Sequence, residues 1–269
     1  MKKNFIPIIA LTGGLILVAV SISMDGGTLM MFWSVTSIMI TIFGSLAALL
    51  ISYPAKYVKK IPAILKQVIN EMPNTRSDLI DLFIDLSRKA RREGLLSLED
   101  DIAQIEDPFL TRGLQMVVDG IEPDVIREIM ELELDTLENN QKTYESIFRT
   151  WGELAPGFGM LGTLIGLIIM LGALEDASTV GAGMATALIT TFYGSLLSNL
   201  FFMPVANNVR SQTEEELYTR EMIIDGVLSI QSGVNPRIVE EKLIGYLSAE
   251  ERLNRQLHHH NLEMVTENE

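Results

Sequence analysis

The sequence contains no cysteine, and only 21% of its 269 residues are charged. The absence of cysteine excludes a disulfide framework, a thiolate metal site and a cysteine nucleophile. Lys and Arg are outnumbered, 21 against 35 Asp and Glu, and the net charge of −14 argues against nucleic acid as a partner. Charge of either sign is also missing from four long apolar runs, which exclude an ordinary soluble enzyme.

The four uncharged runs, residues 5–24, 30–53, 157–174 and 180–205, have the length of membrane-spanning helices. A hydrocarbon core of about 30 Å needs roughly 20 helical residues. The first run is too long for the apolar region of a signal peptide, and the second follows it almost at once. The sequence therefore predicts an all-α polytopic membrane protein with four transmembrane helices.

The positions of the basic residues predict the orientation. All 21 lie at residues 2–3, between 56 and 149, or between 210 and 255, and none lies in the short links after the first and third runs. Under the positive-inside rule, both termini and the long middle segment are cytoplasmic. The predicted domains are 1–53 (transmembrane helices 1 and 2), 54–152 (a large helical cytoplasmic insert), 153–205 (transmembrane helices 3 and 4) and 206–269 (a helical cytoplasmic tail).

The two soluble segments are predicted to be helical. Apolar residues recur at helical spacing at Leu79, Leu82, Phe83 and Leu86. Pro123 suits the first turn of a helix whose pattern continues into the third run, and residues 233–236 mark a turn between two tail helices.

No Asp, Glu, Lys, Arg or His lies in the four runs, although an ion-moving chain usually needs an ionisable group within the bilayer. Either the protein transports nothing, or a partner supplies the charge. In the fourth run, Thr191, Ser195 and Ser198 fall on one helix face, flanked by Thr190 and Asn199. Helix packing and pore lining explain this stripe equally well. Neutral hydroxyls suit sodium only if a carboxylate comes from elsewhere.

Small residues and prolines mark the third and fourth runs. Gly159, Gly162, Thr163 and Gly166 form a narrow face that predicts close helix packing. Pro156 and Pro204 lie near the cytoplasmic ends of these runs, and helix ends are the simpler interpretation of both. Glu153, beside Pro156, either attracts cations or is merely solvated.

A basic stretch at 87–94 is followed closely by the acidic residues 99–101. A solvated surface is the ordinary interpretation, and a docking surface that uses both signs is the alternative. His258, His259 and His260, in a polar tail, are interpreted as solvated and not as metal ligands.

Several stretches together resemble the flagellar stator A subunit family, MotA/PomA/MotP. They are residues 90–99 (the ARREGLLALE-type stretch), 119–120, 154–160, 162–167, 189–194 and 225–233, with Pro204. The resemblance spans essentially the whole chain and implies a pentameric ring of A subunits in the bacterial inner membrane, around a dimer of B subunits. The B subunit's helix would carry the ion-binding Asp, and the insert would push on the rotor protein FliG. No cofactor is implied beyond the transported ion, and the family is not enzymatic.

The resemblance also assigns roles to individual residues. Thr163 and Thr191 match positions that are threonine in sodium-type members and commonly alanine in proton-type ones, which favours Na⁺. Thr190 and Ser195 join them in the expected ion pathway. The other matches are Glu153 at the inner end of the path, Pro156 and Pro204 in torque generation, and Arg91, Arg92, Glu99 and Asp100 at the rotor interface. Ser34 departs from the pattern, because sodium-type relatives often have Asp there.

Three alternatives stay open at this point. One is a proton- or potassium-driven stator subunit, and another is a TolQ/ExbB-like envelope channel, which has three spans and lacks the 91–99 cluster. The third is a non-conducting scaffold whose hydroxyl stripe only packs helices. An intramembrane enzyme is improbable, since no carboxylate, His or Cys lies at bilayer depth.

Overall fold

The computed structural model describes residues 5–69, 76–175 and 177–266, with side chains except at 177, 178 and beyond 257. Within these ranges the chain consists of helices and turns with no strand, as the sequence predicts. The side chains of His258–His260 therefore lie outside the described residues.

The helices are α1 (Ile6–Met24), α2 (Val35–Ser52), α3 (Ala55–Val58), α4 (Ile61–Ile69), α5 (Arg76–Glu93), α6 (Glu99–Ile102), α7 (Pro108–Val118), α8 (Pro123–Gly172), α9 (Ala177–Leu197), α10 (Met203–Gln231), α11 (Pro236–Ile244) and α12 (Ala249–Thr266). Two π-helical turns interrupt the regular geometry, one inside α2 at Met39–Phe43 and one between α9 and α10 at Ser198–Phe202. Short 3-10 turns lie at Leu29–Phe32 and Leu95–Leu98.

Among the described residues, four helical stretches are long and apolar enough to cross a membrane: Ile6–Met24, Val35–Ser52, Pro123–Gly172 and Thr179–Gln231. Each overlaps one predicted run, but the second helix begins at Val35 and not at residue 30, because a 3-10 turn and the Ser34 cap precede it. Helix α8 has 50 residues, so it begins at Pro123 and continues through the third run, as its pattern predicts.

The chain divides into two compact units, residues 1–72 with 140–212 and residues 73–139 with 213–269. The first unit contains all four predicted transmembrane runs. Its buried core includes Phe148, Ala155, Phe202 and Ala206, and the ring of Trp151 stacks on Phe202 with centroids 4.3 Å apart.

Helices α8 and α9 pack at backbone contact along the glycine face. A Cβ on Gly166 would lie 2.5 Å from the Gly183 carbonyl oxygen, and a Cβ on Gly194 would lie 2.6 Å from that of Ala155. Such separations admit glycine alone unless the backbone shifts. The predicted close packing of the glycine face is therefore confirmed.

The second unit has a larger apolar core. It buries Phe83 and Leu86 of α5 together with Leu114 and Val227, while Leu79 and Leu82 are partly buried against it. The helical spacing predicted for this stretch is thus confirmed. Gly226 is required there, because a Cβ would lie 2.6 Å from the Phe83 ring.

Helix α12 is held in the second unit by one buried cation. Arg255 is 6% exposed. Its guanidinium donates to Ser77 at 3.2 Å, to Asp81 at 2.6 Å and to Glu240 at 3.3 Å. The predicted turn at 233–236 lies between α10 and α11, with Gly233 at φ +64° and Asn235 capping α11.

Candidate functional site

Two threonines from different helices meet on the surface of the first unit. The Oγ1 atoms of Thr163 on α8 and Thr191 on α9 are 2.5 Å apart. Both hydroxyls also lie near the Ala187 carbonyl oxygen, Thr163 at 3.1 Å and Thr191 at 3.3 Å. Thr191 is exposed, Thr163 is half-buried and Ala187 is buried, so the three oxygens converge at the edge of the α8–α9 contact.

These oxygens are hard, neutral ligands of the kind that alkali cations accept. Three dipoles of this kind do not offset the dehydration of a cation at bilayer depth, since burying an unpaired charge is costly. No group of three or more His, Asp and Glu side chains close enough to hold a metal occurs among the described residues. These three oxygens alone therefore do not make a cation site.

Thr190 lies beside the Thr163–Thr191 pair and shares the Ala187 carbonyl with it. It is fully buried, and its hydroxyl donates to the carbonyls of Thr186 at 2.9 Å and Ala187 at 3.0 Å. A Cβ on Gly162 would lie 2.5 Å from the Thr190 Cγ2 atom. Although the sequence groups Thr190 with the ion pathway, its side chain is enclosed in the α8–α9 contact, a packing position.

Ser195 is exposed one turn below Thr191, and Asn199 continues that stripe by donating to the Ser195 carbonyl at 3.0 Å. Ser198 departs from the stripe, because it is 6% exposed and its hydroxyl donates to the Gly152 carbonyl at 2.6 Å. The helix is regular up to Leu197, so Ser198 keeps its predicted spacing from Thr191 and Ser195. Its side chain nevertheless packs against α8, so the prediction holds for the helix face and fails for a common exposed stripe.

Both prolines lie within helical backbone. Pro156 is inside α8, so the interpretation of that residue as a helix end is wrong. Pro204 follows the π turn in a run of helix without a break from α9 to α10, which makes the helix-end interpretation wrong there as well. Because Pro156 lacks an N–H, the Gly152 carbonyl loses its usual helical donor, and the Ser198 hydroxyl replaces it. Glu153, beside them, is exposed.

A second row of hydroxyls lies on α2 and escaped the sequence analysis. Ser37, Thr41 and Ser45, spaced four residues apart, are all fully buried. Thr41 donates to the Thr190 carbonyl at 3.4 Å, and Ser45 accepts from the Trp151 indole at 3.1 Å. Their regular spacing within an apolar run was the available signal.

Ser34, the residue that departs from the sodium-type pattern, caps α2. Its Oγ accepts from the Ser37 amide at 3.3 Å and from the Ser37 hydroxyl at 2.8 Å. The position thus has a helix-capping role that either Ser or Asp performs.

The predicted rotor-interface residues are exposed at one turn of the second unit. Arg91 and Arg92 end α5, and Glu99 and Asp100 begin α6. The chain turns between these helices at Gly94, whose φ of +88° favours glycine.

An ion pair fixes this turn. Lys89 Nζ lies 2.7 Å from an Asp101 carboxylate oxygen, and that hydrogen bond raises the pKa of Lys89 above its ordinary value. Charges of both signs are thereby held on one surface. Beside them is a groove of about 1140 Å³ whose lining includes Leu79, Leu82 and Arg92.

Among the described residues, four membrane-length helices, a neutral oxygen cluster and a second unit with exposed charges of both signs are typical of a membrane channel subunit. The sequence model of the MotA/TolQ/ExbB proton channel family matches residues 101–222. The motility protein A of Borreliella burgdorferi is 46% identical over 89% of this chain and 91% of that protein. The chemotaxis protein PomA of Vibrio alginolyticus is 34% identical over 91% of this chain and 96% of that protein.

Solved structures of MotAB complexes also match this chain. The flagellar MotAB stator complex from Bacillus subtilis matches with a TM-score of 0.86 and 33% identity over 92% of this chain and 97% of that chain. The chain belongs to the MotA/PomA family of flagellar stator A subunits. It is embedded in a membrane and is not an enzyme.

Proposed function

We propose that this stator A subunit is driven by sodium and couples inward Na⁺ flow to torque on the rotor. The observation that carries the proposal is the convergence of the Thr163 and Thr191 hydroxyls with the Ala187 carbonyl, beside the exposed side chain of Thr191. A proton needs no such cluster, since a carboxylate alone can carry it, whereas Na⁺ gains from every neutral oxygen that replaces a water molecule.

A B subunit of the MotB/PomB/MotS kind supplies the missing carboxylate in this proposal. The solved relatives are MotAB complexes, and the four apolar runs here contain no acidic side chain. A single Asp on the partner's helix, facing Thr163 and Thr191, would complete the ion site. We further propose a pentameric ring of this chain in the inner membrane around two B subunits, with both termini and the insert in the cytoplasm.

Ion occupancy then controls the arrangement of the helices. Na⁺ bound at the partner's Asp neutralises the charge and lets the interface with this chain shift by one step. Release toward the cytoplasm, past Ser195 and Glu153, restores the charge and completes the cycle. The cycle needs two discrete arrangements that ion binding biases, and α8 and α9 near Pro156 and Pro204 are the segments proposed to alternate between them.

The exposed charges at the α5–α6 turn are proposed to bind FliG. Arg91, Arg92, Glu99 and Asp100 present both signs beside a groove, an arrangement that favours fast encounter and a fixed register. The Lys89–Asp101 pair holds the turn and is itself a positioning contact.

Sodium dependence tests the proposal directly. A stator-deleted host carrying this chain and its B subunit is titrated with NaCl at fixed pH and ionic strength, and swimming speed is measured. We expect speed to rise with sodium and saturate. T163A and T191A should each raise the half-saturating sodium concentration about fivefold, the equivalent of about 1 kcal/mol per lost oxygen contact.

The matched control is T12A, because the Thr12 hydroxyl bonds only to carbonyls of its own helix, Ile8 at 2.8 Å and Ile9 at 3.1 Å. Speed that ignores sodium and follows the proton gradient would replace the proposal with a proton-driven stator, and a response to potassium alone would indicate a K⁺-driven one. Unchanged ion dependence in T163A and T191A would assign the threonines to packing.

A further inference from the structure

The segment from 54 to 69 has a charge opposite to that of the whole chain. It contains Lys56, Lys59, Lys60 and Lys66 and no Asp or Glu, in a protein of net charge −14. It begins directly after α2, which ends at Ser52. Because α2 has the length of a membrane crossing, the first three lysines lie where lipid headgroups begin.

The three lysines nearest α2 are exposed, and two of them, Lys56 and Lys60, lie over aromatic rings. Lys56 Nζ lies 4.6 Å from the centroid of the Tyr57 ring, and Lys60 Nζ lies 5.8 Å from that of the Tyr144 ring. The Tyr53 hydroxyl bonds to Ser146 at 3.2 Å and to Thr150 at 2.9 Å, which fastens the start of the segment to α8. Tyr rings of this kind sit preferentially at the membrane–water boundary.

Helix α4 anchors the other end of the segment. Ile64 and Val68 are buried in the core of the first unit, while Lys66 on the opposite side is exposed. Helix α4 also contacts α1, another membrane-length helix. The lysines are therefore attached to the membrane-length helices by apolar packing.

We propose that Lys56, Lys59 and Lys60 form a binding surface for the headgroups of anionic phospholipids. The exposed ammonium groups complement phosphate charge, and a cluster of basic residues beside a membrane crossing gains affinity for anionic lipid with each residue. The proposal rests on α2 crossing the bilayer and is independent of which ion drives the motor.

The test uses the purified complex of this chain with its B subunit in detergent. Its melting temperature is measured against the mole fraction of phosphatidylglycerol in mixed micelles, with phosphatidylcholine as the neutral arm and glycerol phosphate as the free-headgroup arm. We expect stabilisation by phosphatidylglycerol alone. The triple variant K56Q/K59Q/K60Q should need about fivefold more of it per lysine removed, on the order of a hundredfold in total.

The matched control R88Q/R127Q/R237Q removes the same charge from exposed positions elsewhere and should respond as the wild type does. If the triple Gln variant fails to fold, K56R/K59R/K60R, which keeps the charge, should respond as the wild type does. The wild-type response should also weaken steeply with salt. Equal responses to the two lipids, an unchanged response in the triple Gln variant, or stabilisation by glycerol phosphate alone would each overturn the proposal. Motility is not a readout here, so the result is separate from the sodium test.

Discussion

The Ser198 hydroxyl donates to the Gly152 carbonyl at 2.6 Å, and this contact takes the place of the helical hydrogen bond that Pro156 cannot make. The pair joins α8 to the π turn that precedes α10. A proline inside a membrane helix is tolerated when a neighbouring hydroxyl satisfies the freed carbonyl in this way.

We predict that S198A destabilises the complex by about 1–3 kcal/mol, because it leaves a buried carbonyl without a donor. The melting temperature of the purified complex measures the loss. S195A, which removes an exposed hydroxyl one turn away, should change stability by less than about 0.5 kcal/mol.

A double-mutant cycle tests whether Ser198 compensates for the N–H group that Pro156 lacks. In P156A the backbone N–H returns and can bond the Gly152 carbonyl, so S198A should cost less in that background than in the wild type. Equal costs in both backgrounds would show that Ser198 does not compensate for the proline.

Gly162 and Gly157 on α8 form a second matched pair. A Cβ at Gly162 would lie 2.5 Å from Thr190 Cγ2, whereas a Cβ at Gly157 meets nothing within 4 Å. G162A should therefore cost about 1–3 kcal/mol through overpacking and should impair motility. G157A should be neutral or stabilising by up to about 1 kcal/mol, since alanine is the better helix former. Similar melting temperatures for the two variants would contradict the packing described here.

The raised pKa of Tyr246 predicts that the second unit becomes less stable at alkaline pH. Burial and the hydrogen bond to Asp225, 2.9 Å long, raise the pKa of Tyr246 from 10.0 to about 12. The protonated form is thus favoured by folding, and its contribution is complete below pH 10 and lost as pH rises toward 12.

Y246F removes that titration. Its melting temperature should be lower than that of the wild type near neutral pH, and the difference should shrink between pH 10 and 12. Y218F is the control, because Tyr218 packs beside Tyr246 with ring centroids 5.1 Å apart but is not bonded to Asp225. A pH-independent difference between Y246F and the wild type would contradict the role of the hydroxyl.

Arg255 anchors α12 through Ser77, Asp81 and Glu240. R255Q should lower stability by about 1.5–3 kcal/mol, the range for hydrogen bonds to charged groups, and should expose the end of the chain to proteolysis. R237Q removes an exposed arginine from the same unit and should leave both the melting temperature and the cleavage pattern unchanged.

The helical architecture could be predicted because a bilayer restricts the chain to long apolar helices, and these are visible in the sequence. The single helix beginning at Pro123 and the turn at 233–236 were predicted for the same kind of local reason. Contacts between helices depend on their relative register, which no single run reveals. Thr163 and Thr191 were selected by resemblance, yet their mutual contact at 2.5 Å required the packed α8 and α9.

Two buried hydroxyls show what helical periodicity leaves open. Ser198 is buried by its contact with Gly152 on α8, and Thr41 on α2 is fully buried with its hydroxyl directed to the Thr190 carbonyl. A periodicity of 3.6 residues gives the side of a helix on which a residue lies, but not which side a second helix covers. Pro156 was misassigned because its compensating hydroxyl lies on another helix, and Pro204 because the π turn before it continues the helix.

The neutrality of the Thr163–Thr191 face has a cellular consequence. The four apolar runs contain no carboxylate. A copy of this chain without its partner should therefore have no site within the membrane that binds a cation. Cells that synthesise it in excess over its partner should therefore keep their membrane potential and grow normally, and dissipation of the potential should begin only when the second polypeptide joins.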